Sequence, residues 1–352
     1  MADGVRKDEE FSGTQPVEER HRFDELRLDN WMGRHVESYQ GPLVVLQFKG
    51  GQSNPTYRLD TPGRSYVMRR KPFGKLLPSA HAVDREFRVI AALGKQGFPV
   101  AKAYALCTDD DVIGAAFYIM SMEEGRVFWD PTLPSQTAED RRKIFTSKIE
   151  TLAKLHLFDP QAIGLADFGR PGNYFARQVD RWTKQYRASE TQHITEFEKV
   201  AEWLPRTLPK QERISIVHGD YRLDNMIFHA TEPRVQAVLD WELSTLGDPM
   251  ADFTYLLMQW TMPGLEGVDL KALNIPTLDE AARIYCNITG TAVPDLNWYF
   301  AYNLFRLAGI TQGIAGRIRD GTAANAKALE SAKRTVPLSK SAWEYAQKAG
   351  AV

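Results

Sequence analysis

Three residues stand out by type and spacing. In Val217-His218-Gly219-Asp220-Tyr221-Arg222-Leu223-Asp224-Asn225 an aspartate precedes an asparagine by five positions. Fifteen positions further on lies Asp240, in Val238-Leu239-Asp240-Trp241-Glu242. Each segment follows a short β-branched run, ISIV or VQAVL. One carboxylate placed at a hydroxyl, with an amide oxygen and a second carboxylate facing a divalent cation, is equipment for phosphoryl transfer. Such a reaction asks little covalent work of the protein, so positioning and charge neutralisation carry the rate. Asp220 is therefore the candidate catalytic carboxylate, and Asn225 and Asp240 are the candidate Mg²⁺ ligands. Oxygen donors suit Mg²⁺, which keeps several waters and borrows further ligands from phosphate. Asx residues also build turns and helix caps, and a lone His-Gly-Asp would be read that way. The two motifs in order favour chemistry. His218 is expected to pack and hydrogen-bond and not to carry a proton.

The Asp-to-Asn interval is that of the protein-kinase loop H-R-D-x-x-x-x-N, with Gly219 in place of its Arg and D-W-E in place of the later D-F-G. The stretch VHGDYRLDNMIF…VLDWELSTLGDPMADFTYLL resembles the aminoglycoside phosphotransferase superfamily, which includes choline- and sugar-kinase relatives. The similarity covers nearly the whole chain after about residue 20. Within that superfamily, YVMRRKPFGKLLPSAHAVDREFRVI is most similar to the kinase-like domain fused ahead of acyl-CoA dehydrogenase modules in some animal proteins. The resemblance implies ATP and Mg²⁺ as cofactors and a small-molecule hydroxyl as acceptor. It also implies an α+β, protein-kinase-like, two-lobed fold, with a β-rich N-lobe and a mainly helical C-lobe. The turn Gly50-Gly51-Gln52-Ser53-Asn54 becomes the phosphate-covering loop, with Gly51, Ser53 and Asn54 against the nucleotide; glycines there let backbone amides approach phosphate. Glu86 is the helix partner of a strand cation. Many relatives carry Lys where this chain has Arg69, which leaves either Arg69 or Lys71 for that role, and Arg and Lys are not interchangeable. Ser121 and Glu123, beside Met120, fall at the inter-lobe hinge, where backbone groups read the adenine edge.

These residues need elements to hold them. Residues 1–20 read as a flexible leader, charged and with scattered Gly and Pro. A helix is expected over Phe23–Met32, with Phe23, Leu26, Trp31 and Met32 as its apolar set. Strands are expected at Leu43–Phe48, Thr56–Leu59 and Tyr66–Met68, then a helix over 79–95 with Val83, Phe87, Ile90, Ala91 and Leu93 on one face. Two further strands, Ala103–Cys107 and Ala116–Met120, lead into Ser121–Gly125. From about 138 the pattern is helical, interrupted by a hairpin-like insert at Ile214–Asp240. The order gives a nucleotide-binding lobe over 21–121 and a catalytic, acceptor-binding lobe over 122–352. Asp248, before Pro249, reads as a helix N-cap, and with Asp252 is assigned to architecture around the metal loop.

The 44 basic and 45 acidic residues nearly cancel, which disfavours a nucleic-acid binder or a polybasic membrane anchor. No apolar run reaches the length of a membrane span, and Cys107 and Cys286 lack metal-ligand spacing. A cytoplasmic monomer or homodimer is expected. For the acceptor, Phe253, Tyr255, Leu256, Leu257, Met258 and Trp260, then Trp298–Phe305 with Arg306, Arg317 and Arg319, would suit an anionic or acyl-bearing alcohol better than a polyamine. Aromatics at helical spacing are more often core. The favoured expectation is a metabolite kinase acting on a hydroxyacyl thioester or similar molecule. The alternatives are an aminoglycoside-modifying phosphotransferase and a nucleotide-binding pseudokinase; the intact Asp220, Asn225 and Asp240 count against the last.

Overall fold

The computed structural model describes residues 13–49, 54–73, 82–262, 265–321 and 326–352. Expected contacts of Gly51 and Ser53 lie outside them. By contact density the chain forms two compact units that interleave along the sequence. The first comprises residues 1–168, 222–244 and 269–276, and the second comprises 169–221, 245–268 and 277–352.

The first unit is built on an antiparallel sheet of β1 (Thr14–Gln15), β2 (Val44–Phe48), β3 (Thr56–Asp60), β4 (Ser65–Arg70), β5 (Ala103–Cys107) and β6 (Phe117–Ser121), in the order β1-β2-β3-β4-β6-β5. Alternation in β3 buries Tyr57 and Leu59 and turns Arg58 outward, the period-two pattern of a half-buried strand. β1 pairs with β2 through Thr14–Phe48 and Gln15–Gln47, so part of the expected leader is an edge strand. Helix α1 (Glu25–His35) is capped by Asp24, whose carboxylate accepts the Arg27 N–H at 3.0 Å. It buries Leu28, Trp31 and Met32 against Tyr57, Leu59, Phe117 and Ile119. Leu26, expected on that face, is 76% exposed, because i, i+3, i+4 spacing runs from Leu28. Helix α2 (Val83–Lys95) buries Val83, Glu86, Val89, Ile90 and Leu93. Glu86 and Val89 take the places expected for Phe87 and Ala91, so a carboxylate sits in the middle of the apolar face. Helix α3 (Ala138–Leu157) completes the unit together with the hairpin of β8 (Met226–Phe228) and β9 (Val235–Val238).

The expected insert at 214–240 is not one hairpin. Its first run, β7 (Ser215–Val217), belongs to the second unit and pairs antiparallel with β10 (Thr245–Gly247), while its second run pairs with β8. The β7–β10 pair leaves no room beside Gly247. A Cβ there would lie 2.5 Å from the Tyr174 ring and 3.0 Å from Val217, so only glycine fits the strand position. Around this pair the second unit is helical: α4 (Tyr174–Ala188), α5 (Thr195–Trp203), α6 (Met250–Met258), α7 (Leu278–Thr289), α8 (Leu296–Arg319), α9 (Ala326–Lys333) and α10 (Thr335–Lys348). The long α8 packs against α4, α5, α6, α9 and α10. Its aromatic run is core. Phe305 stacks on Phe197, which stacks on Tyr186, and Phe175 sits edge-on to Trp298, Tyr299 and Tyr302. Phe253 stacks on Tyr285, and α6 is buried on all sides. No helix among the described residues is long and apolar enough to cross a membrane.

Candidate active site

The candidate residues form two constellations, one in each unit. In the first unit, β4 carries Arg69 opposite Tyr118 of β6, and α2 carries Glu86. Arg69 Nη1 lies 3.2 Å from Glu86 Oε2, so Arg69, not Lys71 beyond the strand end, makes the strand-to-helix ion pair. Asn54 Nδ2 donates to Glu86 Oε1 at 2.8 Å and the Tyr118 hydroxyl donates to Oε2 at 3.1 Å. Asn54 thus stands behind the ion pair, fully buried. Burial pushes the Glu86 carboxyl up, with Arg69 pulling the other way. Burial also works against the Arg69 charge, but Glu86, Tyr118, Asp240 and Glu242 together hold its pKa above the ordinary arginine value.

The same guanidinium reaches Asp240 Oδ1 with Nη1 at 3.2 Å and Nη2 at 3.1 Å, and Glu242 lies 3.7 Å from Nη2. Asp240 is left-handed, at φ 64° and ψ 63°. A non-glycine residue there carries about 1–3 kcal/mol of strain, and surroundings must fix it. Trp241 does so: it is buried, donates its indole N–H to Val238 O at 3.0 Å and packs edge-on against Phe98. This explains the D-W-E variant, since the second residue is an anchor in the core. Asn225 and Asp240 stand at the same end of the β8–β9 hairpin. Met226 pairs with Val238, and the Leu239 N–H donates to Asn225 O at 2.9 Å. The residues fit a Mg²⁺ ion as far as donor chemistry goes, being an amide and a carboxylate brought to one hairpin end. Among the described residues no group of three or more His, Cys, Asp or Glu could hold a metal, so phosphate and water would complete the shell.

Ser121 ends β6, and its N–H is spent on Lys102 O at 2.9 Å, while its hydroxyl donates to Glu123. Glu123 also accepts from Gln236 Nε2 at 3.3 Å, which ties the segment to β9. Lys148 of α3 is fully buried on the stripe of Ile144, Ile149 and Leu152. Burial brings its pKa down to about 7, with Asp224, the neighbour of Asn225, opposing.

In the second unit, β7 delivers His218, Gly219 and Asp220. Both oxygens of the buried Asp252 accept backbone amides, His218 N at 2.5 Å and Gly219 N at 2.9 Å. Asp252 thus holds the loop that carries the candidate Asp220. Asp248 caps α6 from two residues back, accepting Met250 N at 2.9 Å, with Pro249 as the formal N-cap. Burial pushes the Asp248 carboxyl up to about 6, with Glu212 adding to the rise. Gly219 has φ 88°, a conformation costly for any residue with a Cβ, which accounts for glycine where kinases carry arginine. His218 is buried and accepts the Asp220 N–H on Nδ1 at 3.2 Å, a bracing role. The Tyr255 hydroxyl donates to Asp220 Oδ1 at 3.1 Å.

Arg306 is 9% exposed and donates from Nη2 to Gly219 O. The structure buries the side chain, which was expected to line an acceptor pocket, and bonds it to the loop. Sequence reasoning also missed Tyr255, Glu242 and Lys148 as members of these constellations. Two of the missed roles left a legible trace, a lone cation inside an apolar stripe in α3 and in α8.

The family model described as "Phosphotransferase enzyme family" matches residues 44–282. Acyl-CoA dehydrogenase family member 10 of Mus musculus is 42% identical over 346 residues, covering 96% of this chain and 32% of that protein. Family member 11 of Gallus gallus is 40% identical over 351 residues, covering 96% of this chain and 45% of that protein. The chain thus spans about a third to under half of the curated relatives it matches. A crystal structure from Ralstonia eutropha, assigned by name to the aminoglycoside phosphotransferases, superposes with a TM-score of 0.86 at 51% identity, covering 93% of this chain and 99% of that one. Aminoglycoside phosphotransferase APH(4)-Ia, at 15% identity and a TM-score of 0.61, shares the fold, covering 93% of this chain and 99% of its own. With its antiparallel sheet, its helical C-terminal part and these matches, the chain belongs to the phosphotransferase enzyme family and has the kinase-like α+β fold of that family.

Proposed function

We propose that this protein transfers the γ-phosphoryl group of ATP to a hydroxyl of a small metabolite. The observation that carries the reading is the Asp220 loop. Asp252 holds its amides, Arg306 holds its carbonyl and Tyr255 holds its carboxylate, which is the rigidity a positioning mechanism needs. Asp220 accepts the hydroxyl proton as the new O–P bond forms, and the bond from the γ-phosphorus to the bridging oxygen breaks with its electron pair leaving on ADP. Arg69, ordered by Glu86, contributes positive charge toward the phosphates. Asn225 and Asp240 are the residues that would hold Mg²⁺, which would supply positive charge against the charge developing on the phosphates. AMP-PNP in a ternary complex of APH(4)-Ia supports an adenine nucleotide.

The curated relatives are named acyl-CoA dehydrogenase family members, which supports an acyl thioester as the kind of molecule that carries the acceptor hydroxyl. The aromatic runs of α6 and α8 no longer contribute, since they are core. A second reading, phosphorylation of an aminoglycoside, is favoured by the name of the Ralstonia eutropha structure at 51% identity. Steady-state assays of a 4-hydroxyacyl thioester, choline and kanamycin side by side, read as ADP release and product mass, separate the two. Efficient kanamycin turnover with no thioester activity overturns the metabolite reading.

A further inference from the structure

We propose that Tyr255 and Arg306 are positioning residues for Asp220, Tyr255 through the carboxylate and Arg306 through the preceding Gly219 carbonyl; this rests on the phosphotransfer reading. Tyr255 is 6% exposed on α6, one helical turn from Asp252 and on the same face. That turn therefore presents two tools to one loop. The Asp252 carboxylate takes the His218 and Gly219 amides, and the Tyr255 phenol donates to Asp220 Oδ1. Arg306 arrives from α8, and its guanidinium stands 5.4 Å from the Tyr255 ring and 5.8 Å from the Trp182 ring. The Gly219 peptide is thus held at its N–H by Asp252 and at its carbonyl by Arg306.

The terminal torsion of an aspartate is broad, so a carboxylate without such a partner samples many orientations. The Tyr255 hydroxyl removes that freedom. The arginine, with its guanidinium 5.4 Å over the tyrosine ring, couples the two supports, so side chain and backbone of Asp220 are held together. Burial disfavours the Arg306 charge, but Tyr302, Tyr255, Tyr174 and Asp220 hold its pKa above the ordinary value, so the support stays cationic. Neither residue needs to exchange a proton. Their effect is geometric, and small misplacements at a reacting centre cost about 10²-fold in rate.

The experiment measures ADP release from Mg·ATP by the full chain, with a 4-hydroxyacyl thioester and with water as acceptors. It compares wild type, Asp220→Asn, Tyr255→Phe, Arg306→Lys, Arg306→Met and the Asp220→Asn/Tyr255→Phe double variant. Tyr255→Phe keeps the ring that packs on Arg306. It is expected to lower kcat about 10- to 100-fold, leaving the nucleotide KM and melting temperature unchanged. In the Asp220→Asn background the same change is expected to cost nothing further, which a merely structural role would not produce. Arg306→Lys retains a donor for the Gly219 carbonyl and should fall between wild type and Arg306→Met, giving a second variant if the phenylalanine destabilises the fold. Unchanged kcat in Tyr255→Phe, or an equal loss in both backgrounds, overturns the proposal. Wild-type turnover by Asp220→Asn, or no turnover of any acceptor by wild type, is a separate failure: it removes the phosphotransfer reading itself.

Discussion

At the scale of single residues, the proposed function gives Asp220 and Asp240 different jobs, so their variants should fail differently. Asp220 is bonded to Tyr255 and braced by His218, and the proposed reaction puts its carboxylate at the acceptor hydroxyl. Asp220→Asn is therefore expected to bind Mg·ATP almost normally while transfer falls by about 10²–10⁴. Calorimetric titration and turnover on one preparation check this, and near-normal turnover would remove Asp220 from the mechanism. Asp240 sits in a strained conformation against Arg69. Asp240→Ala is expected to lose the Mg²⁺-dependent part of nucleotide affinity and transfer together. Titrations with and without Mg²⁺ read the difference, and unchanged Mg²⁺ dependence would leave Asp240 as a partner of Arg69 alone.

At the scale of elements, the β7–β10 pair and the start of α6 decide whether the loop is held. Gly247→Ala places a methyl against Tyr174 and Val217. Overpacking of this kind costs about 1–3 kcal/mol, so urea unfolding should shift to lower denaturant, and turnover should fall because β7 leads directly into the loop. The Asp248 carboxyl gives α6 a pH signature. Its folded pKa of about 6 stands above its unfolded value of 3.8. Between those values the folded state keeps a proton that the unfolded state has released, so this contribution to stability declines as pH rises from about 4 to about 6. Asp248→Asn keeps an oxygen for the Met250 N–H and removes the titration. It should flatten the stability-pH curve in that window by on the order of 1–3 kcal/mol. Parallel curves for the two proteins would show that Asp248 does not titrate there.

At the scale of the whole molecule, a ligand that binds only the folded chain raises stability by mass action. Mg·ATP at about a hundred times its Kd should add about 2.7 kcal/mol, seen as a raised melting temperature. ADP without Mg²⁺ should give a smaller rise, and Asp240→Ala should bring the Mg·ATP shift down to that level. No shift with any adenine nucleotide would argue against the nucleotide reading, whatever acceptor is later found.

The residues proposed for phosphoryl transfer were legible in the sequence: Asp220, Asn225 and Asp240 are close together, and a short loop and one hairpin set their spacing. The strands of the sheet were legible for a related reason, since period-two burial is written into runs such as TYRLD. Strand pairing was not. ISIV and VQAVL follow one another in the sequence, yet each pairs elsewhere, the first with β10 and the second with β8. The choice of Arg69 as the partner of Glu86 also waited for the structure, because it depends on Glu86 being the buried member of its helix face. The arginine of α8 was read as a pocket residue from its neighbours in sequence. Its true partner, the Gly219 carbonyl, lies 87 residues away and becomes a neighbour only when α8 packs against α6. Local spacing fixes which groups can act, whereas contacts between distant segments fix what holds them in place.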